Sequence, residues 1–409
     1  MENNFDLKKY DKKVALNYNF LSGKNPEDFC GAVYFLYGET CHFCTERKFP
    51  ENGGALLDKI CDDINEKGDK LPARSLAEAV VALCEYGVAA NDNRAILYAG
   101  RAVSALLKTA DTSPSVAPVR DAFPEGNGKT DKNAVRDVFP HENDGISVEI
   151  NDKCFIADAF AEYCCIGDDE NAKLAAEKII NEFYAPFKSG GYNAENAAKF
   201  FEKFSANFAD LTPEGLLRLT RGALNYALFT GDKNLKVFAA GALDYCLVKG
   251  LSLTYAVKNS FGGSKFTSAA ATSAIFSLCL KFYKITGDNK YSYFARRIWY
   301  NGLQFCQRIE GGAGEDSAVS GDNRVLQITR YLSDRDGGYI AEALAAYIKN
   351  KQIFAEAGGE IIKDKAGRIL MGDKIFVRDE SGFFGKDLIE IPTMTAFDKD
   401  VALQLKLKI

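Results

Sequence analysis

The chain has 409 residues, 47% of them apolar, and carries 56 acidic against 51 basic side chains for a net charge of −5. That balance leaves no electrostatic footprint for nucleic acid or an anionic membrane surface. Its apolar runs also fall short of the roughly 18 residues that a spanning helix needs. Met1 to Asn19 is polar and charged, without the apolar centre of a secretory signal. The expectation is a soluble, cytoplasmic protein with no nucleic-acid and no membrane partner. Cysteine usage agrees with this. There are 11, an odd number, mostly inside apolar helical stretches (Cys84, Cys154, Cys164, Cys165, Cys246, Cys279, Cys306), as expected of buried reduced thiols.

In chain order, residues 26–37 and 54–66 read as a first helical pair joined by Thr40-Cys41-His42-Phe43-Cys44. A capping-box pattern, Ser75-Leu76-Ala77-Glu78, opens the next helix, whose partner spans 93–109. The segment 111–152 is rich in Pro, Gly and Asp and contains its own repeat, Val119 to Asn127 against Val135 to Asn143. It reads as a surface excursion or lid, with a tolerated insertion as the alternative. Thr212-Pro213 is an N-cap and first-turn pair for a helix through Phe229. Residues 269–285 and 290–308 make the clearest pair, and Tyr339 to Lys349 is a final helix. Beyond residue 350 the pattern changes to period two: Glu360 to Met371 as two strands around a turn, then Lys374 to Arg378 and Ala402 to Ile409. The expected organisation is a helical body over 1–350, with 111–152 inserted, and a small β-rich appendage over 351–409.

The helical pairs repeat. Their turns read Ala90-Asn91-Asp92-Asn93, Gly167-Asp168-Asp169, Thr230-Gly231-Asp232-Lys233 and Thr286-Gly287-Asp288-Asn289. A hairpin cannot bury its apolar face alone, so the copies must stack or close into a ring. The first helix of the clearest pair has only a narrow polar stripe (Thr272, Ser273, Ser277, Lys281, Lys284), as an inner helix would. Its partner sets Arg296, Arg297, Tyr300, Asn301 and Gln304 opposite Tyr291, Phe294, Ala295 and Ile298, as a one-sided outer helix would. The short turns therefore gather at one end of the ring. The long connections 111–152, 186–212, 249–268 and 307–337 gather at the other, forming a rim over the inner-helix N-termini with their free N–H groups.

The turn Thr286-Gly-Asp-Asn-Lys-Tyr291 leading into Arg297-Ile-Trp-Tyr-Asn-Gly-Leu303 resembles the bacterial β-L-arabinofuranosidase family, and the whole pattern resembles the six-hairpin (α/α)6 toroid glycosidases. The resemblance is specific over about 40 residues around this stretch and architectural elsewhere. It implies a mostly α toroid and a carbohydrate-active enzyme. That family holds zinc with cysteines and a glutamate and uses a cysteine nucleophile. The corresponding stretches here read Thr267-Ser268-Ala269-Ala270 and Ser333-Asp334-Arg335-Asp336-Gly337-Gly338. They lack those cysteines, so the zinc–thiolate mechanism is not carried over and no metal or cofactor is assigned.

Glycoside hydrolysis needs two carboxyl groups flanking a bond. The 307–337 rim supplies Glu315, Asp316, Asp334 and Asp336 as catalytic candidates; solvated, helix-capping acids are the alternative. Arg330, Tyr331, Lys265, Phe261, Tyr255 and His42 are candidates for binding substrate. Lys265 closes a Gly262-Gly263 loop that lacks the ending of a phosphate-binding motif. Cys41 and Cys44 form the only CxxC, one half of a zinc-site pattern without its second half. The expectation is a hydrolase or lyase acting on a small-molecule or oligosaccharide ligand. The alternative is a non-catalytic scaffold or sugar-binding relative. Oligomeric state is left open.

Overall fold

A computed structural model describes residues 4–46, 53–111, 149–167, 169–208, 210–252, 254–262, 266–303, 306–307, 311–314, 317–319, 327–329, 332–354, 361–363, 369–378 and 388–390. Its helices are α1 (Asn4–Ser22), α2 (Phe29–Glu46), α3 (Gly53–Lys67), α4 (Ala73–Ala90), α5 (Asn93–Asp111), α6 (Ile150–Cys164), α7 (Glu170–Ser189), α8 (Ala197–Asn207), α9 (Pro213–Thr230), α10 (Lys233–Tyr245), α11 (Ala269–Thr286), α12 (Asn289–Arg297) and α13 (Asp334–Lys349).

Six of them, α2, α4, α6, α9, α11 and α13, pack side by side in that order, and α13 packs back on α2. The ring is closed. The others lie outside it: α1 on α13, α3 on α2, α5 on α4, α7 on α6, α10 on α9 and α12 on α11, with α8 added beside α10. This is the mostly α toroid of helical hairpins.

The short turns explain why the hairpins form. Gly231 (φ +76°) and Gly287 (φ +70°) end α9 and α11 in the left-handed region, and Asn91 (φ +52°) does the same for α4. The next residue but one opens the outer helix. Asp232 accepts from the N–H groups of Asn234 (2.8 Å) and Leu235 (3.0 Å), and Asp288 accepts from that of Lys290 (2.9 Å). One four-residue word thus satisfies the loose carbonyls of one helix and the loose amides of the next.

Two seams are set by glycine through close approach. A Cβ on Gly338 of α13 would stand 2.4 Å from the Tyr34 carbonyl oxygen of α2. One on Gly222 of α9 would stand 2.8 Å from the Asp158 Cα of α6. Any larger residue would wedge the ring open.

Several local readings are corrected. Cys41 to Cys44 is not a connecting turn but lies in the last turns of α2. No breaker interrupts it, and the Thr40 hydroxyl donates to the Leu36 carbonyl (2.7 Å) along the helix. Ser75 is not a cap, because α4 starts at Ala73, after Pro72, and Ser75 Oγ lies 3.3 Å from Cys30 Sγ. Polar Met1 to Asn19 hides most of α1. Val14, Asn17, Phe20 and Leu21 form a stripe narrow enough to escape notice yet fully buried on the ring. The final helix begins five residues early, at Asp334. Ser333 caps it, accepting from Asp336 N–H (3.2 Å), and aspartates suit a first turn.

The rim between outer and inner helices contains short antiparallel strands. One sheet runs β1 (Val257–Lys258), β2 (Phe266–Ser268), β4 (Ser317–Val319), β5 (Gln327–Thr329). A second pairs β3 (Ala313–Gly314) with β6 (Leu332–Ser333). The C-terminal sheet is a plain meander, β7 (Ile361–Lys363), β8 (Ile369–Met371), β9 (Lys374–Arg378), β10 (Leu388–Glu390). It docks on the end of α12. Asn301 donates to the Asp373 carbonyl (2.7 Å) and accepts from Ile375 N–H (2.9 Å), Arg296 pairs with Asp373 (3.0 Å), and Leu370 and Ile375 join the main core. The 111–152 repeat and Ala402 to Ile409 lie, for all but a few residues of the former, outside the described residues. No described helix is long and apolar enough to cross a membrane.

Candidate functional site

Inner helices bury every face except a narrow stripe turned toward the bore of the ring. Charged residues on that stripe converge however far apart they stand in sequence. At the inner-helix N-termini, beneath the long crossovers, this produces a dense cluster. Arg335, in the first turn of α13, donates to Glu78 Oε1 of α4 from Nε (3.0 Å) and Nη2 (2.9 Å). It also donates to Glu214 of α9, at 3.2 Å from Nη1 to Oε2 and by a second contact from Nη2 to Oε1. Tyr34 and Tyr339 donate their hydroxyls to Glu78 at 2.9 and 3.1 Å. Arg74 and Arg218 each approach Glu214 at 3.5 Å.

Aromatic faces line the spaces between these charges. The Arg218 guanidinium lies 4.3 Å from the Tyr339 ring centroid and 5.5 Å from that of Phe155. The Arg74 guanidinium lies 4.2 Å from Phe155. Arg218 is only 1% exposed, and its Nε and Nη1 have no hydrogen-bond partner.

The carboxyls of this end are pushed apart in proton affinity. Burial would raise Glu214, but Arg335, Arg218 and Arg74 overcome it and hold the group down to about 2. Asp152, on the first turn of α6, moves the other way. Burial raises it, Arg74 opposes, and the negative charges of Glu149 and Glu78 reinforce the rise.

The residues singled out in the sequence fall as follows. Asp336 is buried, and its Oδ1 accepts from the Ala270 N–H (2.6 Å), so it sits at the N-terminus of α11. Asp334 is half exposed and pairs with Lys24 at 3.7 Å. Tyr255 is buried at φ +62°, with its hydroxyl accepting from Arg297 Nη1 (3.2 Å), and half-buried Phe261 packs on Tyr245 with ring centroids 5.1 Å apart. His42 is buried against α1, its Nε2 2.6 Å from Asn17 Oδ1, and burial lowers it to about 4. Glu315, Asp316, Arg330, Tyr331 and Lys265 lie outside the described residues. Trp299 is core, stacked on Tyr347 with centroids 4.1 Å apart.

Sequence reasoning missed Glu78, Glu214, Arg218, Arg335 and Asp152 as a group. The available signal was a charge on the one polar stripe of an otherwise covered helix. Glu78 instead suggested a helix cap, and Arg335 sat unremarked between two aspartates.

One helical turn deeper, the bore is closed by Asp158 and Arg221, which meet in a two-pronged ion pair (2.6 to 3.0 Å). Beyond that floor, toward the short-turn end, opens a cavity of about 670 Å³. Its wall includes Glu85, Glu162, Glu342, Lys281 and Lys349, with Cys41, Cys44 and Cys165. Asn225 donates to Glu162 (2.6 Å) and accepts from Lys281 (2.5 Å), and Tyr37 donates to Glu342 (3.0 Å). Burial and then Glu85 raise Glu162 to about 7. Burial likewise raises Glu85, with Arg221 opposing and Glu342 adding to it.

No sequence-family profile matches the chain, and no curated protein does. Solved structures do. An unsaturated glucuronyl hydrolase specific for heparin aligns with a TM-score of 0.56 at 13% identity, over 85% of this chain and 98% of that one. The cellobiose 2-epimerase of Spirochaeta thermophila gives 0.52 at 13%, over 86% and 100%. The GH76 alpha-mannanase of Bacteroides thetaiotaomicron gives 0.52 at 11%, over 84% and 96%. At such identities the likeness is one of fold. The chain is built as these (α/α)6 toroids are.

Proposed function

We propose that the chain is a carbohydrate-active hydrolase or lyase-like protein that works at the N-terminal end of the bore on a small or oligomeric sugar. The observation that supports this is the convergence of Glu78, Glu214, Arg74, Arg218 and Arg335 from three inner helices on one end of the bore, with burial raising nearby Asp152 while the arginines hold Glu214 down to about 2. Cleaving a glycosidic bond by acid–base chemistry wants one carboxyl that keeps its proton and one that stays ionised. Asp152 would give its proton to the leaving oxygen. The Glu78 and Glu214 carboxylates would face the positive charge that develops on the sugar ring, and one of them would take a proton from the water that adds to the anomeric carbon. Phe155, Tyr339 and Tyr34 offer ring faces for a pyranose or furanose, and Arg74, more exposed than the other two arginines, would orient an acidic substituent. The cavity at the other end suits this chemistry less well, because Glu85 and Glu162 both shift upward.

The rim acids Asp334, Asp336, Glu315 and Asp316 remain proposed catalytic candidates, and the division of the chain at residue 350 remains a proposal. Arg330, Tyr331, Lys265 and Phe261 remain proposed substrate-binding residues, whereas Tyr255 and His42 are buried against Arg297 and Asn17 and are not open to a ligand. A second reading, a sugar-binding relative without catalysis, is favoured by one observation. Glu78 and Glu214 are both already engaged by Arg335, and Asp336 by the α11 backbone.

A screen of glycans and aryl glycosides separates the two. The wild type should turn over at least one substrate, with kcat reduced about 100-fold or more in Asp152→Asn and less in Asp334→Asn or Asp336→Asn. Turnover by none of the proteins, together with saturable sugar binding, would establish the binding reading instead.

A further inference from the structure

The cavity at the short-turn end has no part in the chemistry proposed above, yet it is built like a binding site. Its volume of about 670 Å³ falls within the range of small-molecule pockets. Its polar groups come from six different helices, and several of them have nothing to bind. Among the described residues Glu85 forms no hydrogen bond or ion pair, and Lys349 on the opposing helix α13 forms none either. The two nevertheless interact electrostatically across the opening. Asn350, only 3% exposed, turns an unpartnered Oδ1 to the same wall, and Ser277 leaves its Oγ unpartnered there. The lip is apolar: Leu228 and Phe229 are each 47% exposed.

Opposite charges that share a cavity wall ordinarily swing together where they can, as Asp158 and Arg221 do one layer below. Held apart across a cavity, an anion and a cation define a ligand with the complementary pair. A neutral polyol would have to strip water from both charges and repay neither. A ligand of single charge would satisfy one and face repulsion from the other. We propose that this cavity binds a small zwitterion carrying an ammonium and a carboxylate, of the amino acid class. The ammonium meets Glu85, with Asn350 Oδ1 as a further acceptor. The carboxylate meets Lys349, and an apolar side chain lies against Leu228 and Phe229.

Isothermal titration of the purified full chain with single free amino acids, and with glucose and glucosamine as comparison ligands, tests this. At least one amino acid should bind saturably. Glu85→Gln and Lys349→Met should each weaken it about tenfold or more, while the sugars show no heat at equal concentration. Both side chains sit on the cavity wall, where water reaches them although the surrounding wall partly desolvates Glu85, so the variants should fold as the wild type does, which circular dichroism checks. Phe229→Ala supplies a second arm, expected to weaken ligands with large apolar side chains more than glycine. Absence of binding by every amino acid, binding by both charge variants as tight as by the wild type, or preferential binding of glucose would each overturn the proposal. Sugar turnover at the other end is scored separately with Asp152→Asn, so one reading survives failure of the other.

Discussion

The two ends of the bore are lined by the same six helices and carry similar numbers of charges, but they use them in opposite ways. At the N-terminal end three arginines and two glutamates are drawn into a single knot, with tyrosine hydroxyls completing Glu78. At the C-terminal end Glu85 and Lys349 stand apart around open space. Ion pairing inside a low-dielectric bore is a large effect, and leaving one member alone is costly. Charges kept separate are therefore affordable only where water, or a ligand, reaches them. The contrast marks one end as rigid and preorganised and the other as receptive.

The sharpest way to break that contrast is to remove one charge from each end. Arg335→Ala strands two buried carboxylates and should lower the unfolding free energy by about 3–5 kcal/mol. Glu85→Gln should change it by no more than about 0.5 kcal/mol. Urea denaturation at neutral pH reads both, and similar losses would mean that the ends do not differ as described.

Acid offers a second, smaller separation. Glu214 is held at about 2 against an ordinary value of 4.5. The stability it contributes is complete above pH 4.5 and is lost as pH falls toward 2. Wild type should lose on the order of 2–3 kcal/mol more than Glu214→Gln across that window. Parallel pH profiles would remove the case for an ionised carboxylate there.

The smallest effect has the opposite sign. Burial raises Glu162 to about 7, with Glu85 and Asp158 adding to the rise and Arg221 and Lys281 opposing it. A group that holds its proton more tightly when folded stabilises most below its unfolded value, and that contribution disappears as pH rises through 7. Relative to Glu162→Gln, wild type should weaken between pH 5 and 8 by less than about 1 kcal/mol, because the cavity admits water. A relative gain with rising pH would contradict the stated cause.

How much of this could be read in the residues follows from distance along the chain. The Gly-Asp turns are local, with every contact inside four or five residues, so the hairpins and the inner-and-outer alternation were legible. So was the gathering of short turns at one end, which is only their geometric consequence. The charged knot joins residues 121 and 257 positions apart, and no local pattern announces it. Ser75 to Glu78 shows the hazard. It matches a cap in spacing, but a buried guanidinium competes better for Glu78 than an exposed amide does. The cavity was hidden for the same reason. Glu85, Glu162 and Glu342 each look like a polar position on an amphipathic helix until the ring is closed. A sharper reading would have asked which helices with almost no polar surface still spend it on a full charge.

The seam between α2 and α13 has a consequence for how the chain is made. α13 rests on α1 and α2, about 300 residues earlier, so synthesis must deliver most of the protein before those two helices meet their final neighbour. Until then Tyr37, whose buried ring meets that of Tyr339 in the finished circle, faces solvent or a chaperone. The interval is set by translation speed, at roughly 5–20 residues per second a matter of tens of seconds. Tyr34 and Gly338, whose backbones meet across this seam, are thus among the last to be joined. Slow elongation between them should expose the nascent chain to aggregation longer than delay anywhere else.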